Sequence, residues 1–315
     1  MAVVLFTASL FVPSILCAQA GLSLPNTIPN FASCVNEPLF YSCENTTAFT
    51  NTCCSPTPGG LVLQTQFWDT YTGLEKQGQL LPKNSWTIHG LWPDFCDGSF
   101  TQYCDLSRQY DPSPSPNTTT GKPGGTPVPP YTGPGVDTFV LEFGRIDLLD
   151  FSDEQILDQP RFSQQRFLGT RVFKHATCTS TFDIACYANY RKHEDVVNFF
   201  DATIRAYKMF PTYELLATAG IIPSNKTTYT LSQLQNAVKT QTGAVPFFGC
   251  GGIGAGGSAG RNILNEVWHF NHVLGSEQYG HFKPIDSTTP STCSPTNISY
   301  FERTTTSERE VRVFP

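Results

Sequence analysis

Two histidines set the chemistry open to this chain. His89 stands in the run Trp86 to Asp94 (WTIHGLWPD), where an aromatic, Trp92, and a carboxylate, Asp94, follow it closely. His175 stands in Lys174 to Cys178 (KHATC), directly after a lysine. One imidazole can take the proton of a ribose 2′-hydroxyl while the other protonates the departing oxygen, and Lys174 can neutralise a phosphorane. Taken singly, either histidine reads as a satisfied core residue. The joint context of two histidines, a lysine and an aromatic points instead to acid–base cleavage of a phosphodiester.

The elements that must hold these residues apart and aligned are readable in part. Leu61 to Trp68 and Trp86 to Leu91 read as strands, the first partly alternating. Asp195 to Tyr207 reads as a helix with Val197, Phe200, Ile204 and Tyr207 on one face. Thr230 and Gln233 have the spacing of a capping box opening another helix. Ala244 to Phe248 reads as a short strand and Asn262 to Val273 as a helix, with Glu266 to Trp268 on its core-facing turn. Strands and helices without regular alternation predict an α+β fold, and there is no internal repeat. Residues 111–135 are dense in Pro, Gly, Ser and Thr and predict an exposed loop too poor in apolar residues to pack. Because it lies between the histidine motifs, it is expected to be an excursion within one domain spanning residues 21–315.

Residues 3–17 are almost wholly apolar, and Ala18-Gln19-Ala20 offers a small-x-small cleavage site, so residues 1–20 read as a signal peptide. That stretch is too short for a stable membrane span. Removing it takes away Cys17 and leaves ten of the eleven cysteines, an even number that implies a disulfide framework in a secreted chain. Zinc ligation competes with that reading, but no paired C-x-x-C sets occur. Asn45, Asn117, Asn225 and Asn297 each begin an N-x-S/T sequon, which agrees with the secretory route and a glycoprotein. A net charge of −6 argues against tight, non-specific nucleic-acid binding through a basic surface. It does not exclude a nuclease that grips a few nucleotides, above all at acid pH, where carboxylates are neutralised and imidazoles protonated.

Two patterns invite other readings. Gly252 to Gly257 matches a dinucleotide-binding glycine run between a predicted strand and a predicted helix. It follows Cys250 with no surrounding βαβ unit, so a surface loop is expected and no cofactor. His269 and His272 could suggest a metal pair, but ligands on a helix stand at i, i+4 with a catalytic glutamate between them. A packed helix with one exposed histidine is expected, and no metal.

The residues around both histidines resemble the ribonuclease T2 family over most of the chain after residue 20. The family's first active-site block is similar to Trp86 to Asp94 and the second to Lys174 to Cys178. The resemblance implies an α+β fold around an antiparallel sheet and metal-independent endonucleolytic RNA cleavage through a 2′,3′-cyclic phosphate. It implies His175 as general base, His89 as general acid and Lys174 as phosphorane stabiliser. It implies a base site shaped by Trp92 and Phe100 through stacking and by Asp94 through accepting from an exocyclic amine. Phe100 stands where the family usually has tyrosine. The cysteine placing is similar to that of fungal members and implies the pairs Cys34–Cys54, Cys43–Cys96, Cys53–Cys186, Cys104–Cys178 and Cys250–Cys293.

One departure bears on activity. The family's second block begins with His-Glu at the positions of Thr170 and Arg171, and the whole run 152–173 lacks resemblance while both flanks keep it. If Leu168 to Val172 is coded TTG-GGN-ACA-CGA-GTT, reading one base later gives Trp-x-His-Glu-Phe, the family's motif in place. The segment is therefore read as translated out of frame. An unbroken frame encoding Thr170 and Arg171 would leave a diverged and weakened member. The expected function is a secreted, extracellular or vacuolar ribonuclease with broad base tolerance, acting on RNA as a monomer without metal or membrane. The competing reading is a catalytically impaired secreted glycoprotein of the same fold that acts by binding. A metal-dependent hydrolase is a distant third.

Overall fold

The structure is a computed structural model and describes residues 34, 40–44, 51–155, 172–252 and 261–310. The signal-peptide reading, Cys17, the Asn45 sequon, positions 253–257 of the glycine run, and Thr170 and Arg171 with most of the altered segment lie outside the described residues.

Among the described residues, seven strands form the main sheet: β1 (Gly60–Phe67), β3 (Thr87–Phe95), β4 (Thr228–Tyr229), β5 (Phe247–Gly251), β6 (Ile263–Leu274), β7 (His281–Ile285) and β8 (Ile298–Ser299). They run in the order β3-β1-β6-β8-β4, and β5 and β7 also pair with β6. The β6–β8 pair is parallel and the rest are antiparallel. A separate parallel pair joins β2 (Leu81–Pro82) to β9 (Glu308–Arg309). The helices are α1 (Val136–Glu142), α2 (Ile146–Gln155), α3 (Val172–Ala176), α4 (Glu194–Met209), α5 (Thr212–Thr218) and α6 (Leu231–Thr242). This is the α+β arrangement expected.

β1 lies between β3 and β6, and residues 60–66 are all buried. With both faces covered, a strand has no solvent side to enforce alternation, so polar Gln64, Thr65 and Gln66 sit inside. They stay because they are bonded. Gln66 Nε2 donates to Gln64 Oε1 at 2.6 Å and to the Phe210 carbonyl at 2.7 Å, while Thr65 Oγ1 donates to the Gly90 carbonyl at 3.2 Å. On one face Val62, Ile88 and Leu91 pack with apolar residues of α1, α3 and α4. On the other, Leu61 and Leu63 pack with Phe247, Phe270, Trp92 and Trp268.

The expected helix is α4, whose buried positions include Val197, Phe200, Ile204 and Tyr207. The capping box at α6 is also present, with Thr230 accepting from the Gln233 amide and Gln233 accepting from the Thr230 amide. The expected helix over Asn262 to Val273 is not: that run is the long strand β6. Leu264, Val267, Phe270 and Val273 are buried at intervals of three, a spacing that imitates a helical face. In the fold those residues pack on a strand bordered by β1 on one side and by β5 and β7 on the other. Ile263, Val267, Trp268, Phe270 and Val273 suit such a strand by β-branching and aromatic bulk. The strand expected at Ala244 to Phe248 begins only at Phe247, because Pro246 has no amide to donate to a ladder.

Residues 111–135 contain no helix or strand, but they pack more closely than expected. Asp111 is fully buried and accepts from Tyr103 Oη at 3.0 Å, and Val128 is buried. Tyr131 meets Tyr110 edge-on at 5.2 Å, and Gln109 Nε2 donates to the Pro129 carbonyl at 2.6 Å. A few anchors at the ends of the loop replace the missing apolar density. The five disulfides pair as the resemblance implies. The Cys53 and Cys186 sulfurs that lie near Asp183 are bonded to one another, which takes them out of metal ligation.

Candidate active site

His89 is placed by an irregularity in the sheet. Gln66 of β1 pairs with Ile88 and Thr65 pairs with Gly90, so His89 is the extra residue of a β-bulge in β3. A bulge bends its strand and re-aims a side chain away from the regular alternation. The imidazole lies on the Phe67 ring, centroids 3.8 Å apart and planes 23° apart, and meets Trp92 edge-on at 4.7 Å. Its Nδ1 stands 3.3 Å from Glu266 Oε1 of β6. Gly90 makes room for this arrangement, since a Cβ there would approach Trp92 Nε1 to 2.8 Å.

His175 comes from α3, which packs along β3, the edge strand of the sheet. Phe173 and Ala176 are sunk in the helical core, and this fixes the rotation of the single-turn helix. The Lys174 carbonyl accepts from the Tyr103 amide at 2.8 Å, and Cys178 is tied to Cys104. His175 is buried and stacks on Trp92, centroids 4.9 Å apart and planes 23° apart. Burial above all, then the positive charge of Lys174 and the presence of His89, pushes its pKa down to about 3. Its Nδ1 has no hydrogen-bond partner among the described residues.

Both histidines therefore touch one ring, that of Trp92, and Lys174 adjoins the second. Asp94 and Phe100 lie further along. Asp94 is buried on β3, and burial pushes its pKa up to about 7. A tight turn follows, in which the Phe95 amide donates to the Ser99 carbonyl at 2.8 Å, and brings Phe100 back to bridge Asp94. Phe100 is 64 % exposed, so its ring is open to solvent. Trp92 differs from it: packed against His175, His89 and Trp268, it is a wall of the histidine cluster.

Glu266 was not legible as a site residue, because the helix expected over 262–273 put it on a core-facing turn. A carboxylate inside the apolar run of β6 was the available signal. His269 and His272 do not form a metal pair. His269 is buried, stacked on Phe210 at 4.5 Å with Nε2 3.0 Å from Thr212 Oγ1, and its pKa is pushed down to about 3 by burial. His272, half-buried, stands three residues on along the same strand and therefore faces the other side of the sheet.

Comparison with known proteins places the fold and the family. The model of the ribonuclease T2 family matches residues 59–286. Ribonuclease T2 of Aspergillus oryzae is 33% identical over 276 residues, covering 87% of this chain and 85% of that protein. Ribonuclease Trv of Hypocrea rufa is 36% identical over 267 residues, covering 84% and 95%. A ribonuclease T2-like protein of Aspergillus fumigatus is 36% identical over 255 residues, and there the chain spans 53% of the relative's length. The crystal structure of Actibind, a T2 ribonuclease, superposes with a TM-score of 0.67 at 29% identity, covering 84% of this chain and 96% of that one. From the histidine motifs, the five disulfides and the match across most of its length, the chain belongs to the ribonuclease T2 family.

Proposed function

We propose that the protein is a secreted endoribonuclease that cleaves RNA by transesterification, without a metal ion. His175 takes the 2′-hydroxyl proton, and the freed oxygen attacks phosphorus. His89 protonates the departing 5′-oxygen, and the product is a 2′,3′-cyclic phosphate. Lys174 offsets the charge of the phosphorane. Trp92, Asp94 and Phe100 shape the base site, with Phe100 as the open stacking surface, and this tolerates several bases because every base has a π-face.

The observation that carries this reading is the asymmetry of the two imidazoles around Trp92. His175 is dehydrated and beside the Lys174 cation, which keeps it neutral and able to accept a proton, while His89 stands 3.3 Å from the Glu266 carboxylate. Secretion is supported by the apolar N-terminus and the five disulfides; among the described residues no helix is long and apolar enough to cross a membrane. The binding-only reading rests on Thr170 and Arg171, where the family has His-Glu. Loss of one preorganised stabiliser costs about 10²–10³ in rate, so a chain with this sequence should be slow and not dead.

The test is purified protein on RNA at pH 5 and pH 8, with and without chelator. Cleavage should resist chelation, pass through a cyclic phosphate and peak below neutrality. His89→Ala or His175→Ala should each remove nearly all of it, because the pair acts as one unit. Strong inhibition by chelator, or a rate that climbs steadily through pH 8, would overturn the mechanism. A folded wild-type protein with no cleavage would favour binding.

A further inference from the structure

We propose that Glu266 is the positioning residue of the general acid, holding the His89 Nδ1–H so that Nε2 presents the proton to the leaving oxygen. This rests on the reading of His89 as that acid. β6 and β3 are not neighbours, since β1 runs between them. The carboxylate meets the imidazole only because the bulge lifts His89 out of register, leaving Glu266 Oε1 3.3 Å from Nδ1. Phe67, the β1 residue paired with Glu266, is the ring on which His89 stacks.

The β5 side is shaped for the same contact. Gly249 pairs with Glu266, and a Cβ on it would lie 2.9 Å from Glu266 Cβ and 3.0 Å from Oε2. Any larger residue there displaces the carboxylate. A neutral imidazole can hold its proton on either nitrogen, and the partner at one nitrogen decides the tautomer and ring orientation. Glu266 Oε1 stands 3.3 Å from Nδ1 as an ion-pair contact; with Nδ1–H drawn onto it in the protonated ring, proton release from Nε2 would leave the neutral ring in the tautomer ready to take a proton back. From α3, His175 lies close enough to His89 to interact with it electrostatically and also feels the charge of Lys174; β1 carries no titratable group. Glu266 is the carboxylate in ion-pair contact with His89, opposite the imidazole of His175.

The experiment pairs kinetics with an NMR titration of the His89 ring. Glu266→Gln keeps an acceptor but removes the charge. It should lower the His89 titration midpoint by about one unit and move the alkaline limb of kcat/KM acidward by the same amount. Glu266→Ala should lower kcat about 10²-fold with little change in KM, and Gly249→Ala should reproduce part of that loss. Glu266→Asp should restore the midpoint while recovering only part of kcat. A purely structural role would lower thermal stability and leave the midpoint where it was. An unchanged His89 midpoint in folded Glu266→Gln, or in Gly249→Ala if the first variant does not fold, would overturn the proposal. Wild-type protein that cleaves no RNA would overturn the ribonuclease reading, and the titration would still decide the pairing.

Discussion

Asp94 illustrates how one residue can carry two chemistries. Its carboxyl is buried on β3 with a pKa near 7, so it is protonated and able to donate at pH 5, and ionised and able only to accept at pH 8. If it reads a base edge, base preference should differ between those two conditions. Asp94→Asn, neutral throughout, should show one preference at both. The measurement is kcat/KM over a set of dinucleotide substrates; identical wild-type rankings at pH 5 and pH 8 would remove Asp94 from the base site. Trp92 works differently. Its ring contacts both imidazoles, so truncating it should disturb His89 and His175 together as well as any contact with substrate.

At the scale of elements, the candidate active site depends on a very short helix. α3 spans Val172–Ala176, far too short to be stable alone, and its position comes from what grips it. Those grips are Phe173 in the core, the Tyr103 amide on the Lys174 carbonyl, and the Cys104–Cys178 bridge just beyond its end. Replacing both cysteines with alanine should cost about 2–5 kcal/mol in urea unfolding. It should also lower kcat more than KM, because His175 loses its fixed distance from His89. If kcat is unchanged in a destabilised but folded variant, the bridge serves stability alone.

Over the whole molecule, buried titrating groups pull stability in opposite directions with pH. His175 and His269 have folded pKa values near 3, below the ordinary 6.5, so they withdraw stability as pH falls from about 6.5 towards 3. Glu277 runs the other way. It is fully buried, accepts from Thr181 Oγ1 at 2.6 Å, and burial raises its pKa to about 7. The folded state therefore binds more protons than the unfolded chain between about pH 4.5 and 7, and stability is lost as pH rises through that window. Glu277→Gln should remove this loss. Relative to wild type, it should gain stability progressively from pH 4.5 to 7, by up to the order of 3 kcal/mol. Denaturant midpoints at pH 4.5, 6 and 8 would check it, and a constant difference across them would refute the assignment.

The sequence by itself determined the family and much of the frame. The two histidine blocks, the even set of cysteines with pairing implied by resemblance, the α4 face and the α6 cap are local patterns, and local patterns survive in one dimension. Tertiary structure decided the rest. β6 reads as a helix because its buried residues recur every third position, and only pairing with β1, β5 and β7 makes it a strand. Residues 111–135 read as unpacked because their few anchors are polar or single side chains that meet partners just before the loop, Tyr103, Gln109 and Tyr110, with no periodic apolar pattern. The meeting of Glu266 with His89 needed three facts that no window of sequence contains: a bulge that turns one side chain, a strand order that sets β6 two places from β3, and a glycine that leaves the carboxylate its space.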